Sequence, residues 1–122
     1  MTPNSVVTKS WGSTQLVFEF NGVEMHRIKV EMGGFCSVHR HLHKNNLFMM
    51  ERGSLSLVTG RMVGGEFVPS QQVEMCEGER TVVPVGIWHQ FRSSAGATAL
   101  EVYWVDARGE DIDRHSVGGI CA

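Results

Sequence analysis

The feature that most constrains the fold of this chain is a series of short apolar segments, interrupted by turn residues about every 8–12 positions. Segments of this length are typical of β-strands, and turns at this spacing favour a sandwich or a barrel. The pair Asn21-Gly22 predicts a hairpin, because a type I′ turn needs positive φ at both central residues. No useful length of the chain has helical periodicity. We therefore expect one all-β domain over residues 1–122, with about ten short strands.

Composition excludes several classes of protein. The formal net charge is −2, with acidic and basic residues interspersed, so we expect no nucleic-acid partner. No apolar segment approaches the roughly 20 residues of a membrane helix, and no secretory signal is recognisable. Three widely spaced cysteines, Cys36, Cys76 and Cys121, favour reduced thiols over a disulfide framework. We expect a cytoplasmic protein without a membrane partner, whose polar tail covers residues 108–122.

Three histidines predict a metal site. His39 and His41 are separated by one residue, so on a β-strand they share a face with their Cα atoms about 6.5 Å apart. Two imidazoles at that distance can bind one metal ion. His89, about fifty positions later, could complete a three-nitrogen site from a neighbouring strand.

The same histidines lie within two longer patterns of glycine and proline. Residues 33–53 read Gly-x5-His-x-His-x4-Asn-x6-Gly, and residues 78–93 read Gly-x5-Pro-x-Gly-x2-His-x3-Ser. These patterns resemble the paired motifs of the cupin superfamily. Every fixed position is met except two: Asn46 stands where the family has glutamate, and Ser93 where it has asparagine. The resemblance implies a double-stranded β-helix, also called a jelly-roll barrel, with a metal pocket between its sheets.

The resemblance implies His39, His41 and His89 as metal ligands, with residue 46 as the fourth. Neutral imidazoles suit several divalent transition metals, so zinc, iron, nickel, manganese and copper all remain candidates. The amide oxygen of Asn46 can bind a cation, but it brings no negative charge. The site is therefore expected either to bind metal less tightly than a site with glutamate, or to leave the full positive charge of the metal available to an anionic ligand.

Four other residues in or near the first motif need an assignment. His43 is the alternative to Asn46 or to water as fourth ligand, if the strand that begins at Phe35 ends near His41. Glu51 lies on the face opposite Asn46 in a regular strand, so it cannot easily replace the missing acid. His26 is expected to be exposed, next to a bulge near residues 26–27, and Cys36 to be packing rather than a ligand.

The C-terminal segment carries a second, shorter resemblance. Residues 100–104 followed by 109–114 are similar to the end of cupin-type phosphomannose isomerase domains, in which a Glu-Val stretch precedes Asp-Ile-x-Arg. This segment favours a carbohydrate or sugar-phosphate ligand. The alternative is a local ion pair between Asp111 and Arg114 that holds the tail against the barrel.

These observations predict a metal-binding cupin that acts on a small polar metabolite. Our first hypothesis is an isomerase-like carbohydrate enzyme whose metal is a Lewis acid, with His43 and Glu51 as weak candidates for proton transfer. The second is a non-catalytic module that binds a sugar or an organic anion, and the third is an iron-dependent dioxygenase. We also expect a homodimer, with the apolar hairpin 16–32 as one candidate surface.

Overall fold

A computed structural model of the chain describes residues 5–105 and 116–121. It is all-β, and the described residues contain no helix. The strands are β1 (Val6–Lys9), β2 (Gly12–Phe20), β3 (Val23–Val30), β4 (Asn45–Gly53), β5 (Leu55–Val63), β6 (Glu66–Met75), β7 (Arg80–Val83), β8 (Trp88–Arg92) and β9 (Ala97–Trp104).

The strands form two antiparallel sheets. The larger sheet has the order β1-β2-β3-β9-β4-β7, and the smaller has the order β6-β5-β8. Both sheets contribute to one apolar core, in which Ile28 and Phe48 of the larger sheet cluster with Leu55, Leu57 and Phe91 of the smaller. This arrangement confirms the predicted jelly-roll barrel, since two sheets with their buried faces together form a single core.

The first hairpin confirms one local prediction and corrects another. Asn21 has φ 49° and Gly22 has φ 81°, as a type I′ turn requires. The expected bulge is present, but it lies in β2 between Leu16 and Phe18 rather than in β3. Because β3 is regular, His26 shares the inward face of Ile28, and its side chain is only 16% exposed. The prediction that His26 is exposed was therefore wrong.

The segment between β3 and β4 is extended, but it forms only isolated bridges, so the strand expected from Phe35 is replaced by an irregular edge. Phe35 pairs with Arg92 and His39 with His89, which leaves one extra residue on the first side. Side chains replace the missing ladder bonds: the Phe91 N–H donates to Cys36 Sγ at 3.2 Å. The extra residue changes the alternation of faces, and Cys36 therefore lines the same cavity as His39.

Residues 59–68 form the facing ends of β5 and β6, joined by Gly64-Gly65 with φ 58° and 81°. Residues 106–115 are not described, so the proposed Asp111–Arg114 pair and most of the tail lie outside the described residues.

Within the described ranges, the structure contains no helix that could span a membrane.

Gly53 provides a test of this architecture, because an added Cβ would meet the backbone. Gly53 has φ 73°, and a Cβ there would lie 2.2 Å from the Gly96 carbonyl oxygen. Gly78 has a similar φ of 83° with open space around it. We expect Gly78→Ala to lower the free energy of unfolding by about 1–2 kcal/mol, for the left-handed backbone alone, and Gly53→Ala to lower it clearly further. Urea unfolding of both variants measures the difference, and equal losses would contradict the backbone contact.

Candidate metal centre

His39 and His89 are held side by side by their own backbones. The His39 N–H donates to the His89 carbonyl at 3.0 Å, and the His89 N–H donates to the His39 carbonyl at 2.8 Å. In an antiparallel pair of this kind the two side chains leave the sheet on the same face. The ring centroids are consequently 4.4 Å apart. The neighbouring strand that the sequence required is therefore β8, directly opposite His39.

His41 is placed by the turn that precedes β8. The Gly86 N–H donates to the His41 carbonyl at 2.9 Å, and the turn closes through a bond from the Ile87 N–H to the Pro84 carbonyl. Gly86 has φ 83°, the positive value that glycine adopts without strain. The His41 ring centroid lies 5.2 Å from that of His39 and 5.5 Å from that of His89. Each histidine offers one nitrogen, and the three nitrogens lie within 4.8 Å of one another.

Hydrogen bonds to carbonyl groups fix the orientation of two of these rings. Nδ1 of His39 lies 2.8 Å from the Ser37 carbonyl, and Nδ1 of His89 lies 2.8 Å from the Ile87 carbonyl. A carbonyl only accepts, so each Nδ1 carries a proton, and the neutral form of each ring has its lone pair on Nε2. Such a partner is typical of a metal-binding histidine.

The donor atoms of the site fit a metal ion. Among the described residues, the buried side-chain polar atoms without a hydrogen-bond partner are Nε2 of His41, Nε2 of His89 and Oδ1 of Asn46. Buried polar groups are rarely left unpaired. Two imidazole nitrogens and an amide oxygen are thus left unpaired, and each can donate an electron pair to a transition metal ion.

Burial favours the neutral form of two of the three imidazoles. The pKa of His89 is lowered to about 4, chiefly by desolvation and also by the nearby His39 and His41, against a bond to the Ile87 carbonyl that raises it. Burial also lowers the pKa of His41, with contributions from His39 and Lys44. A metal ion binds the neutral form of histidine, so His41 and His89 do not need to lose protons at neutral pH.

The structure separates the two candidates for the fourth position. Asn46 is fully buried on the inward face of β4, and its Nδ2 donates to Glu101 Oε2 at 3.3 Å. His43 is exposed and lies outside the group formed by the three histidines. Asn46 remains the better placed side chain, although its binding to metal stays a prediction.

The weak candidates for proton transfer do not reach the site. Glu51 forms an ion pair with Arg27, at 2.8 Å and 3.2 Å, beside a separate depression that Arg52 and Thr98 also line. His43 is exposed, as described above. β4 directs Glu51 to the face opposite Asn46, and His43 lies exposed in the loop before β4, so neither placement favours a role in proton transfer.

A buried carboxylate near the histidines was not anticipated from the sequence. Glu101 is 6% exposed, and its Oε2 accepts hydrogen bonds from the Tyr103 hydroxyl and the Asn46 amide. Burial raises the pKa of Glu101, although these two hydrogen bonds act in the opposite direction. The Tyr103 ring also contacts His41, at a centroid distance of 5.1 Å. The signal in the sequence was the position of Glu101, an acidic residue among the apolar residues of a predicted strand.

Glu101, Tyr103 and His39 line a cavity of about 390 Å³. Its polar wall includes His26, Glu101 and Tyr103, whereas Trp11 and Phe91 form an apolar wall with their rings edge to face at 5.0 Å. The remaining lining residues are Lys9, Thr14, Cys36 and Ser37.

Cys36 is a packing residue within this wall. It belongs to the buried apolar cluster of the barrel, and its Sγ accepts a hydrogen bond from the Phe91 backbone. Desolvation raises the pKa of the thiol to about 12, so it stays protonated and is a poor metal ligand. It also lies outside the group of histidine nitrogens.

Acid should destabilise the metal-free protein, because His89 is buried as a neutral ring. Its pKa is about 4 in the folded chain against 6.5 for an unperturbed histidine, so below pH 6.5 the unfolded state takes up a proton that the folded state does not. We expect the free energy of unfolding to be fully retained above pH 6.5 and to decrease between pH 6.5 and pH 4. Urea unfolding of the metal-free chain across this range measures the decrease.

The matched variants for this prediction are His89→Gln and His43→Gln. His89→Gln should make the loss of stability with falling pH less steep. His43→Gln changes an exposed residue, so it should leave the pH dependence of stability unaltered. If His89→Gln and the wild type lost stability equally as the pH falls, the buried imidazole of His89 would not be the cause of the loss.

No protein-family model and no curated protein match the chain. Solved structures with a similar fold include cupins, the family that the two motifs resemble. A cupin-2 domain protein from Shewanella frigidimarina has a TM-score of 0.62 at 20% identity, over 79% of this chain and 82% of that one. KdgF from Halomonas sp. has a TM-score of 0.68 at 11% identity, over 84% and 89%. A recombinant oxalate oxidase in complex with glycolate has a TM-score of 0.58 at 21% identity, over 72% and 44%. The chain therefore has the fold of the cupin superfamily.

Proposed function

We propose that this protein is a metal-dependent cupin enzyme that acts on a small carbohydrate or a related hydroxy compound. The observation that carries the proposal is the group of three histidine nitrogens within 4.8 Å, two of them buried without a partner, beside a cavity of about 390 Å³. A site with three imidazoles leaves coordination positions open, as catalytic metal sites do.

The walls of the cavity support a polyhydroxylated ligand. Glu101, Tyr103 and His26 supply donors and acceptors on one side, while Trp11 and Phe91 supply aromatic surface on the other. Hydroxyl groups need fixed polar partners, and the C–H face of a sugar packs well against aromatic rings. The volume is within the range of small-molecule sites.

Each part of the site has a defined task in this proposal. A bound divalent metal would supply Lewis acidity that polarises a carbonyl or hydroxyl oxygen. The carbonyl partners of His39 and His89 hold the rings in place while a ligand exchanges. Glu101 offers a carboxyl group within the same cavity, where a proton could be held close to the ligand.

A non-catalytic binding module is the second candidate function. The observation that favours it is the state of Glu101, whose Oε2 already accepts from both Tyr103 and Asn46. Glu51, the other acid considered, is paired with Arg27. If neither acid takes part in proton transfer, the site would bind its ligand without converting it.

Metal analysis and turnover together test the proposal. We expect purified wild type to contain about one transition metal per chain, and His41→Ala and His89→Ala to lose most of it because each removes one imidazole. His43→Ala is the matched control and should retain the metal. Elemental analysis measures each content, and unchanged metal in both site variants would contradict the ligand assignment.

Assays with aldoses, ketoses and sugar phosphates separate the two functions. Conversion that a chelator abolishes and added metal restores supports the enzyme. Binding by calorimetry without conversion, unaffected by chelation, supports the module instead. Oxygen consumption with an iron-loaded sample would favour the dioxygenase alternative.

We also propose that two copies pair through the outer face of the larger sheet. Five apolar residues lie in register across neighbouring strands, in the order Phe18, Met25, Val102, Leu47 and Val82. Phe18 is 48% exposed and Val82 is 48% exposed at the ends of this row. A row of this kind is self-complementary, so a two-fold axis would place it against its own copy.

A charge in the middle of that row should separate the two copies. We expect the wild type to have about twice the 13.6 kDa mass of one chain in solution, and Val102→Lys to have the mass of a monomer. Val68→Lys, which changes an exposed valine of β6, should stay a dimer. Light scattering with size-exclusion chromatography measures the mass, and a dimeric Val102→Lys would contradict this surface.

A further inference from the structure

The side chain at the position of the missing glutamate is held at one end and unpartnered at the other. Asn46 is fully buried, its Nδ2 donates to Glu101 at 3.3 Å, and its Oδ1 has no partner among the described residues. An amide could bind a cation only through its oxygen. Whatever determines which end of Asn46 is free therefore determines whether residue 46 can be a ligand.

Glu101 determines that orientation. A carboxylate only accepts hydrogen bonds, so the amide end that faces Glu101 must be Nδ2, and Oδ1 must point the other way. The reverse orientation would place two acceptors against each other in a buried place, at a cost comparable to a lost hydrogen bond to a charged group. Glu101 thus selects one of the two arrangements of the Asn46 amide.

The register of the sheet places this carboxylate where it is needed. Asn46 lies opposite Tyr103 in the pairing of β4 with β9, and Glu101 precedes Tyr103 by two residues on the same inward face. The Tyr103 hydroxyl donates to the same Oε2 that accepts from Asn46, which holds the carboxylate in place. The Tyr103 ring in turn contacts His41.

We propose that Glu101, supported by Tyr103, is a positioning residue for the metal centre: it holds Asn46 so that Oδ1 is the fourth ligand. The inference rests on the proposed metal site of His39, His41 and His89. The glutamate of the family motif is replaced here by an amide on β4, and a second acidic side chain, on β9, orients that amide.

This arrangement changes what a glutamate at position 46 would do. In isolation, Asn46→Glu would add a charged ligand and tighten metal binding. In this structure the new carboxylate would face Glu101, where the donor Nδ2 now lies. Two carboxylates in contact repel each other, so one would take up a proton or move away from the ion. The benefit of Asn46→Glu should appear only when Glu101 is also neutralised.

The test compares metal affinity and ligand field in a double-mutant cycle on the full chain, with Co²⁺ as the probe. We expect Glu101→Gln to weaken Co²⁺ binding about 10- to 100-fold, as loss of a partner of a ligand typically does. The visible absorption of bound Co²⁺ should also change, because the glutamine amide no longer selects the Asn46 oxygen. Asn46→Glu alone should bind no more tightly than wild type, whereas Asn46→Glu combined with Glu101→Gln should recover wild-type affinity or exceed it.

Two further variants separate positioning from general stability. Tyr103→Phe keeps the carboxylate and should weaken Co²⁺ binding less than Glu101→Gln does. Glu74→Gln changes a carboxylate of β6 that accepts a hydrogen bond from Ser56 instead of Asn46, and it should leave affinity and spectrum unchanged. Urea unfolding of the metal-free variants shows whether each is folded.

The outcomes distinguish this inference from the proposed function. A wild type that binds no Co²⁺ overturns the metal site and the positioning role together. A wild type that binds Co²⁺, with an unchanged affinity and spectrum in folded Glu101→Gln, overturns the positioning role alone. Effects of Asn46→Glu and Glu101→Gln that simply add would also overturn it, since the proposal requires the two residues to be coupled.

Discussion

The reciprocal backbone hydrogen bonds between His39 and His89 are the interaction on which the rest of the site depends. The segment that carries His39 and His41 is not a regular strand, and it is fastened to β8 at a few points. The His39–His89 pair is the point that sets the two rings side by side. The bond from Gly86 to the His41 carbonyl then aligns the third ring. The backbone thus sets the positions of all three histidines.

The sequence was sufficient to predict the barrel and the three histidines, because those features depend on local rules. Asn21-Gly22 requires its turn whatever the surroundings, and Gly53 and Gly86 lie where the backbone needs positive φ. His39 and His41 keep the same face because only one residue separates them. Spacing of this kind is retained even where the strand itself becomes irregular.

The predictions that failed involve the faces of strands over longer distances. A single extra residue in β2, or between Phe35 and His39, reverses the alternation that follows it, and nothing in the residues themselves locates that extra residue. His26 was assigned to the wrong face because the bulge was expected in β3, whereas it lies in β2 and β3 is regular. Glu101 was overlooked because the larger apolar residues of β9, Leu100 and Val102, point outward, while the inward face carries Ala97 and Ala99. Hydrophobicity alone therefore indicates the wrong face of that strand.

The spacing of the three histidines along the chain has a consequence for folding. His39 and His89 are about fifty positions apart, so an ion bound by both would join two distant parts of the chain as a covalent cross-link does. A ligand that binds only the folded state stabilises it by an amount that grows with the logarithm of the ligand concentration relative to its Kd. The same ion would thus connect the segment before β4 to strand β8. Metal supply in the cell would then influence how long the folded protein persists as well as whether its site can work.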